Sequence, residues 1–206
     1  TLRFQALLEA AVPAVPARDG EALRAALLPT VKDFIGSERA RIEATHRSGA
    51  SGLEVVARHA DLVDAVICQL FRLADGLVPP ALKEQSGGCA VVALGGYGRR
   101  ELNPGSDVDV MFLFPRRVDD YLTAILNHVL YFLWDLGFSV GHSCRSLSDA
   151  MRMMDTDLTA RTSMLEARFL AGSAALLPAM RATLAPERIW PVRDFFAAKV
   201  RELLER

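Results

Sequence analysis

The sequence has little of several features that would assign a protein to a class at once. Its three cysteines, Cys68, Cys89 and Cys144, are an odd number without paired spacing, so they predict no disulfide framework. Its apolar runs all fall short of the roughly 20 residues that a membrane span needs, and no charged and then apolar leader opens the chain. We therefore expect a cytoplasmic protein that keeps its cysteines reduced and does not associate with a membrane.

An excess of charge of one sign is also missing. The chain has 24 Lys and Arg against 25 Asp and Glu, a formal net charge of −1, which argues against non-specific binding of nucleic acid. With 206 residues, 51% of them hydrophobic, it can bury one core, or a compact domain with a helical appendage. It begins without Met and ends inside a helical pattern, so we expect a piece of a longer protein.

What is present is concentrated between Val91 and Phe114. An apolar β-branched run leads into the glycine cluster at 95–98, and a second apolar run begins with Asp107 and Asp109, one residue apart. This pattern predicts strand, glycine turn and strand. Strand side chains alternate between faces, so the two carboxylates should point the same way, about 6.6 Å apart along the chain.

Two carboxylates on one face predict a site for a hard divalent cation, Mg²⁺ with Mn²⁺ as the alternative, held by Asp107 and Asp109. Such an ion completes its coordination with waters and substrate phosphates, so the pair implies a nucleotide as well as a metal. Gly95 and Gly96 lack a Cβ, which lets backbone N–H groups approach a triphosphate, and Ser106 adds a hydroxyl. Two acids in a buried strand would be costly without a cation, which favours a functional role.

The surrounding pattern places further candidates near this site. Residues Tyr97 to Leu102 predict a short helical turn, on which Arg99 either contacts phosphate or lies on the surface. A helix is expected from Asp119 to Leu136, followed by a strand over Phe138 to Cys144. On that strand, Ser143 either contacts the sugar or phosphate of the nucleotide or makes strand-end hydrogen bonds.

The rest of the chain predicts helices. Before the central stretch, the segments Glu21–Arg47 and Leu53–Leu77 have apolar residues at helical spacing and should form an antiparallel pair, preceded by a linker at Ala14–Gly20. His46 and His59 lack ligand partners at metal spacing there and are expected on the surface. After the central stretch and the strand that ends at Cys144, four helices are expected, over Leu147–Met154, Leu158–Leu170, Ala174–Leu184 and Pro191–Arg206.

The pattern Gly-Gly-x-Gly-Arg-x-Glu-Leu-x-Pro-x-Ser-Asp-x-Asp is met at every position between Gly95 and Asp109. It resembles the nucleotidyltransferase signature of the bacterial uridylyltransferases that modify the PII nitrogen-signalling protein, within the DNA polymerase β-like superfamily. The resemblance continues through residues 52–65, 140–145 and 165–172, and so covers most of the chain from about residue 50 onward.

This resemblance implies an α/β (α+β) fold, in which N-terminal and C-terminal helices flank a small mixed-sheet core. It implies an N-terminal helical segment at 1–85, the nucleotidyltransferase core at 86–146 and a C-terminal helical region at 147–206. The donor would be UTP, the acceptor a tyrosine hydroxyl of PII, and the product pyrophosphate. The chain has no adjacent His-Asp pair, so we expect the uridylyl-removing activity to lie outside it.

One departure leaves alternatives open. Many members of the superfamily carry a third carboxylate on the strand after Asp-x-Asp, where this chain has Gly-His-Ser. Either Asp155, Asp157 or Glu166 supplies it, or two carboxylates and a polar residue suffice. The residues themselves do not distinguish UTP from another nucleoside triphosphate, so an adenylyltransferase remains the alternative enzyme. A catalytically silent nucleotide-sensing domain is the alternative outside enzymes.

Overall fold

The computed structural model describes residues 2–11, 19–182 and 192–204, which contain ten helices and four strands. The strands are β1 (Ala90–Ala93), β2 (Val108–Phe114), β3 (Val140–Ser146) and β4 (Arg168–Gly172). The helices are α1 (Leu2–Ala11), α2 (Gly20–Arg47), α3 (Gly52–Leu77), α4 (Pro80–Gln85), α5 (Gly95–Gly98), α6 (Asp120–Asp135), α7 (Leu147–Thr156), α8 (Leu158–Leu165), α9 (Leu176–Ala182) and α10 (Val192–Leu204).

The four strands form one mixed sheet in the order β3-β2-β1-β4. Strand β1 is antiparallel to both β2 and β4, whereas β2 and β3 run parallel. A parallel pair needs a crossover, and α6 supplies it between β2 and β3. The predicted fold class, a small mixed sheet flanked by helices, is confirmed.

The two faces of the sheet belong to two apolar clusters. Along β2, Val110 and Phe112 join the larger cluster, which contains residues of helices α1, α2, α3 and α6. Met111 and Leu113 alternate with them and join a smaller cluster with residues of α7, α8 and α9. Asp109 is two residues before Met111, so its side chain leaves the strand on the face of the smaller cluster, at the end that this cluster does not cover.

The predicted helical pair is confirmed in α2 and α3, which pack against each other and against α6. Each begins at a capping side chain that accepts backbone N–H groups: Asp19 for α2 and Ser51 for α3. No helix in the described parts of the chain is both long and apolar enough to cross a membrane.

Two local predictions were wrong. The turn expected over Tyr97–Leu102 begins earlier, at Gly95, because the chain enters it directly from β1. The helix expected over Leu158–Leu170 ends at Leu165, and Arg168–Gly172 is strand β4, since β1 has a second edge that this segment pairs with. The predicted linker overlaps residues 12–18, which lie outside the described residues, as do the last two residues of the segment predicted as a helix to Leu184.

Candidate active site

The open end of β2 carries the two predicted carboxylates. Asp107 immediately precedes the strand and Asp109 is its second residue, and both are exposed. They line one cavity of about 740 Å³, together with Gly96, Arg99 and Ser106. The structure thus brings five of the seven predicted site residues to a single cavity, and the volume is in the range of sites that bind small molecules.

The glycine turn lies beside the carboxylates because the chain passes directly from β1 into α5. Gly95 has a φ of +54°, a left-handed conformation that is costly for residues with a Cβ. The turn closes through backbone hydrogen bonds from Gly98 to Leu94 and from Arg99 to Gly95. Gly95 therefore shapes the turn, whereas Gly96, the next residue, faces the cavity.

Neither carboxylate has an ion-pair or hydrogen-bonding partner among the side chains of the described residues. Partial burial, followed by the negative charge of Asp107, raises the pKa of Asp109 from its ordinary value. The two acids thus repel each other and neither is paired with Arg99, the cation in the same cavity, so they fit a divalent metal ion.

The sequence predicted a high cost for two acids in a buried strand. The cost is smaller than that, because both carboxylates lie at the surface where β2 emerges from the core, and Asp109 is only partly shielded from water.

Arg99 reaches the cavity but is already paired. Its guanidinium contacts the carboxylate of Glu101 at 2.8 Å and that of Glu166 at 2.6 Å. The neighbouring Arg100 contacts a different carboxylate, that of Asp61 on α3. A role for Arg99 in binding phosphate therefore requires that the triphosphate compete with two carboxylates.

A second cavity, of about 400 Å³, lies on the other side of Asp109. Ser143 and Arg145 on β3 line it, so the structure places Ser143 in a different cavity from Ser106. Asp109 lines both cavities and lies between them. The ring of His142 packs edge-on against Trp134, 5.8 Å between centroids.

The three candidates for a third carboxylate all have other partners. Asp155 lies 3.8 Å from Arg161, Glu166 is paired with Arg99, and Asp157 caps α8, although it also lines the second cavity. The described residues contain no group of three His, Cys, Asp or Glu that could hold a metal ion. The described geometry therefore favours the alternative of two carboxylates.

A largely sheltered cluster that was not predicted from the sequence lies below the glycine turn. Asp64 of α3, Tyr97 of α5 and Arg168 of β4 join there through direct hydrogen bonds. The sequence did point to both segments, because the family resemblance extends over residues 52–65 and 165–172, which contain Asp64 and Arg168. It did not predict that these two residues are in contact.

A third cavity, of about 520 Å³, lies between α2, α3 and the loop before β2. His46 and His59 line it with Arg39. His46 is exposed as predicted, but His59 is half-buried, so its assignment to the surface was wrong. Burial, followed by the charge of Arg39, lowers the pKa of His59.

Comparisons with known proteins agree with this geometry. The sequence model of a family described as glutamate-ammonia ligase adenylyltransferase matches residues 3–128. A bifunctional uridylyltransferase/uridylyl-removing enzyme of Erythrobacter litoralis is 40% identical over 205 residues, which cover 95% of this chain and 22% of that protein.

Two further relatives carry the same name. The protein of Nitrosococcus oceani is 35% identical over 176 residues (85% of this chain, 19% of that protein), and that of Novosphingobium aromaticivorans is 36% identical over 199 residues (95% and 22%). The chain spans about a fifth of the length of these relatives. The resemblance predicted from the signature between Gly95 and Asp109 is confirmed.

Proposed function

The chain belongs to the nucleotidyltransferase family described as glutamate-ammonia ligase adenylyltransferase, and from that premise we propose that it transfers UMP from UTP to a tyrosine hydroxyl of the PII nitrogen-signalling protein. Pyrophosphate is released. The choice of UMP over AMP is supported by the relatives that are named uridylyltransferases. The choice of PII and of a tyrosine hydroxyl as the acceptor rests on the resemblance of the signature between Gly95 and Asp109.

The observation that carries this proposal is the pair of unpartnered carboxylates beside the glycine turn. Asp107 and Asp109 would hold Mg²⁺, with Mn²⁺ as the alternative. The bound ion would neutralise charge on the triphosphate and lower the pKa of the attacking hydroxyl. In the same cavity Gly96 would offer its backbone N–H to the phosphates. The hydroxyl of Ser106 donates to the carbonyl oxygen of Asn103 at 2.9 Å, and it would exchange that bond for one to phosphate.

Asp109 lies between two cavities, and each would hold one end of the nucleotide. We assign the triphosphate to the cavity with Gly96, Ser106 and Arg99. Ser143 lies across Asp109 from these residues, where its hydroxyl can bind the ribose. In this proposal the α-phosphate would lie next to Asp109, the residue that lines both cavities.

The division into a helical segment at 1–85, a core at 86–146 and a helical region at 147–206 is retained as a proposal. The last region contributes strand β4, whose pairing with β1 completes the sheet. In the proposed enzyme this region therefore supports the core as well as leading away from it.

The second candidate function is adenylyl transfer, which the name of the matching family favours. A titration of the chain with the magnesium complexes of UTP, ATP, GTP and CTP would separate the two. We expect UTP to bind most tightly. Preference for ATP would replace uridylyl by adenylyl transfer and leave the metal site as proposed.

The direct test compares wild type with Asp107→Asn and Asp109→Asn for metal-dependent release of pyrophosphate in the presence of PII. We expect both variants to stay folded and to lose transfer, because each removes one of the charges that would hold the metal. Asp120→Asn, an exposed carboxylate at the start of α6, is the control and should retain transfer. Transfer at the wild-type rate by both site variants would refute the assignment. Binding of Mg-UTP without any release of pyrophosphate would favour the nucleotide-sensing alternative.

A further inference from the structure

Three side chains from distant parts of the chain meet directly below the glycine turn. Arg168, the first residue of β4, contacts both carboxylate oxygens of Asp64 on α3, at 2.6 Å and 3.0 Å. The hydroxyl of Tyr97 donates to the same carboxylate at 2.7 Å. Asp64 thus binds a residue of the turn and a residue of the sheet edge at once, although Arg168 is 104 positions away from it.

The guanidinium of Arg168 also binds the backbone of the turn itself. Its Nε donates to the carbonyl oxygen of Gly98 at 3.1 Å, and its Nη2 donates to that of Tyr97 at 3.2 Å. It further lies over the Tyr97 ring, 5.4 Å from the centroid. One rigid, planar cation therefore holds two consecutive carbonyl groups of α5 in place.

The cluster is sheltered enough for these contacts to matter. The side chains of Arg168 and Asp64 are 26% and 23% exposed, and Tyr97 is 2% exposed. Burial, followed by the charge of Asp64, raises the pKa of Tyr97 well above its ordinary value, so the hydroxyl stays a donor. The Arg168–Asp64 pair differs from the surface ion pairs of the helices, because two nitrogens of the guanidinium bind the carboxylate and both side chains are largely shielded from water.

The segment that holds the turn also holds Arg99. Glu166, two residues before Arg168, pairs with the guanidinium of Arg99 at the cavity. The chain from Glu166 to Arg168 therefore contacts both the backbone of the turn and the cation next to it. Gly96, Tyr97 and Arg99 all line the cavity assigned to the triphosphate, so any movement of the turn moves that wall.

We propose that Asp64, Tyr97 and Arg168 form a positioning clamp that fixes the glycine turn for binding of the nucleoside triphosphate. This inference rests on the proposed function and deepens it, because it assigns to the nucleotide site two residues outside the signature, Asp64 and Arg168, and Tyr97 at a variable position within it. The three are positioning residues that act through the turn. Loosening the clamp should raise the Kd for the nucleotide, while most of the protein stays folded.

Two conservative variants test the clamp. Arg168→Lys keeps the charge but loses the planar fork, and Tyr97→Phe keeps the ring but loses the donor to Asp64. We expect the Kd of Mg-UTP, measured by titration calorimetry, to rise about tenfold in Arg168→Lys and about threefold in Tyr97→Phe, the loss of a hydrogen bond or two to charged groups. Arg152→Lys, at an exposed ion pair of α7, is the matched control and should bind as wild type.

Kinetics with UTP and PII separate positioning from mere folding. A clamp that positions the turn predicts a higher KM for UTP, with an unchanged KM for PII. A merely structural role would lower the fraction of active protein, so that kcat would fall while KM and Kd for the nucleotide stayed the same.

The possible outcomes are distinct. If both variants bind Mg-UTP as tightly as wild type, the clamp is refuted and the proposed function stands. If wild type binds no Mg-nucleotide, the proposed function fails and the clamp fails with it. Should Arg168→Lys not fold, Tyr97→Phe decides, because the removal of one hydroxyl leaves the apolar packing of the ring in place.

Discussion

Replacing Gly141 by Ala tests the geometry of the carboxylate pair without touching either acid. In the parallel pairing of β2 and β3, Gly141 lies opposite Asp109. A Cβ at Gly141 would be 2.2 Å from the carboxylate oxygen Oδ1 of Asp109. Ordinary van der Waals contact with a Cβ begins at 3.4 Å, so the carboxylate has to move by the difference, about 1.2 Å.

A displacement of this size should be costly for catalysis and inexpensive for folding. Misplacement of a reacting group by about 1 Å reduces the rate on the order of 100-fold, and we expect that loss in kcat for uridylyl transfer. The atom that must move is the end of an exposed side chain, which can rotate toward solvent. The free energy of unfolding should therefore change by less than about 1 kcal/mol.

The assay is the release of pyrophosphate from UTP, with thermal unfolding measured on the same samples. Gly36→Ala is the matched control, because Gly36 lies in the middle of α2 and a Cβ there would meet nothing within 4 Å. It should keep full activity and gain roughly 0.5–1 kcal/mol of stability. If Gly141→Ala is folded and transfers UMP within twofold of wild type, the position of Asp109 is not the determinant that we infer.

Two further predictions concern stability. Because the raised pKa of Asp109 favours its neutral form in the fold, its contribution to stability is present below its ordinary value of 3.8 and is lost as pH rises through the raised pKa. Without divalent metal, Asp109→Asn should therefore melt above wild type at pH 7, by a margin that shrinks near pH 3; a lower midpoint at pH 7 would contradict this. Asp119→Ala should cost about 1–2 kcal/mol in denaturant unfolding, because Asp119 caps α6 at the N–H of Leu122 and accepts from Ser86, whereas Asp120→Ala should cost less.

Local patterns predicted the elements whose residues interact with near neighbours in sequence. The run from Val91 to Phe114 gave strand, turn and strand because apolar content, glycine and alternation act within a few residues of each other. The long helices α2 and α3 were predicted for the same reason, through their periodic apolar faces. Alternation also predicted that the side chains of Asp107 and Asp109 point the same way, and both line one cavity.

Contacts between distant segments could not be predicted in this way. The first three residues of β4 were expected to be helical, because the predicted helix ran to Leu170. Arg168–Gly172 has no β-branched residue, so its strand conformation comes from pairing with β1. The pairing of Arg99 with Glu166 and of Asp64 with Arg168 depends on the same docking. Once β4 is placed, both contacts follow, so one missed strand accounts for most of what was missed at the site.

The place opposite Asp109 also bears on the missing third carboxylate. Gly141 leaves room there for the Asp109 side chain, and any larger residue, an acid included, would collide with it. The next residues of β3 on the same face are Ser143 and Arg145, a hydroxyl and a cation. Strand β3 therefore adds groups that suit a sugar or a phosphate. A metal ion held by two carboxylates would take its remaining ligands from water and the triphosphate, so in the proposed function the metal and the nucleotide would bind together.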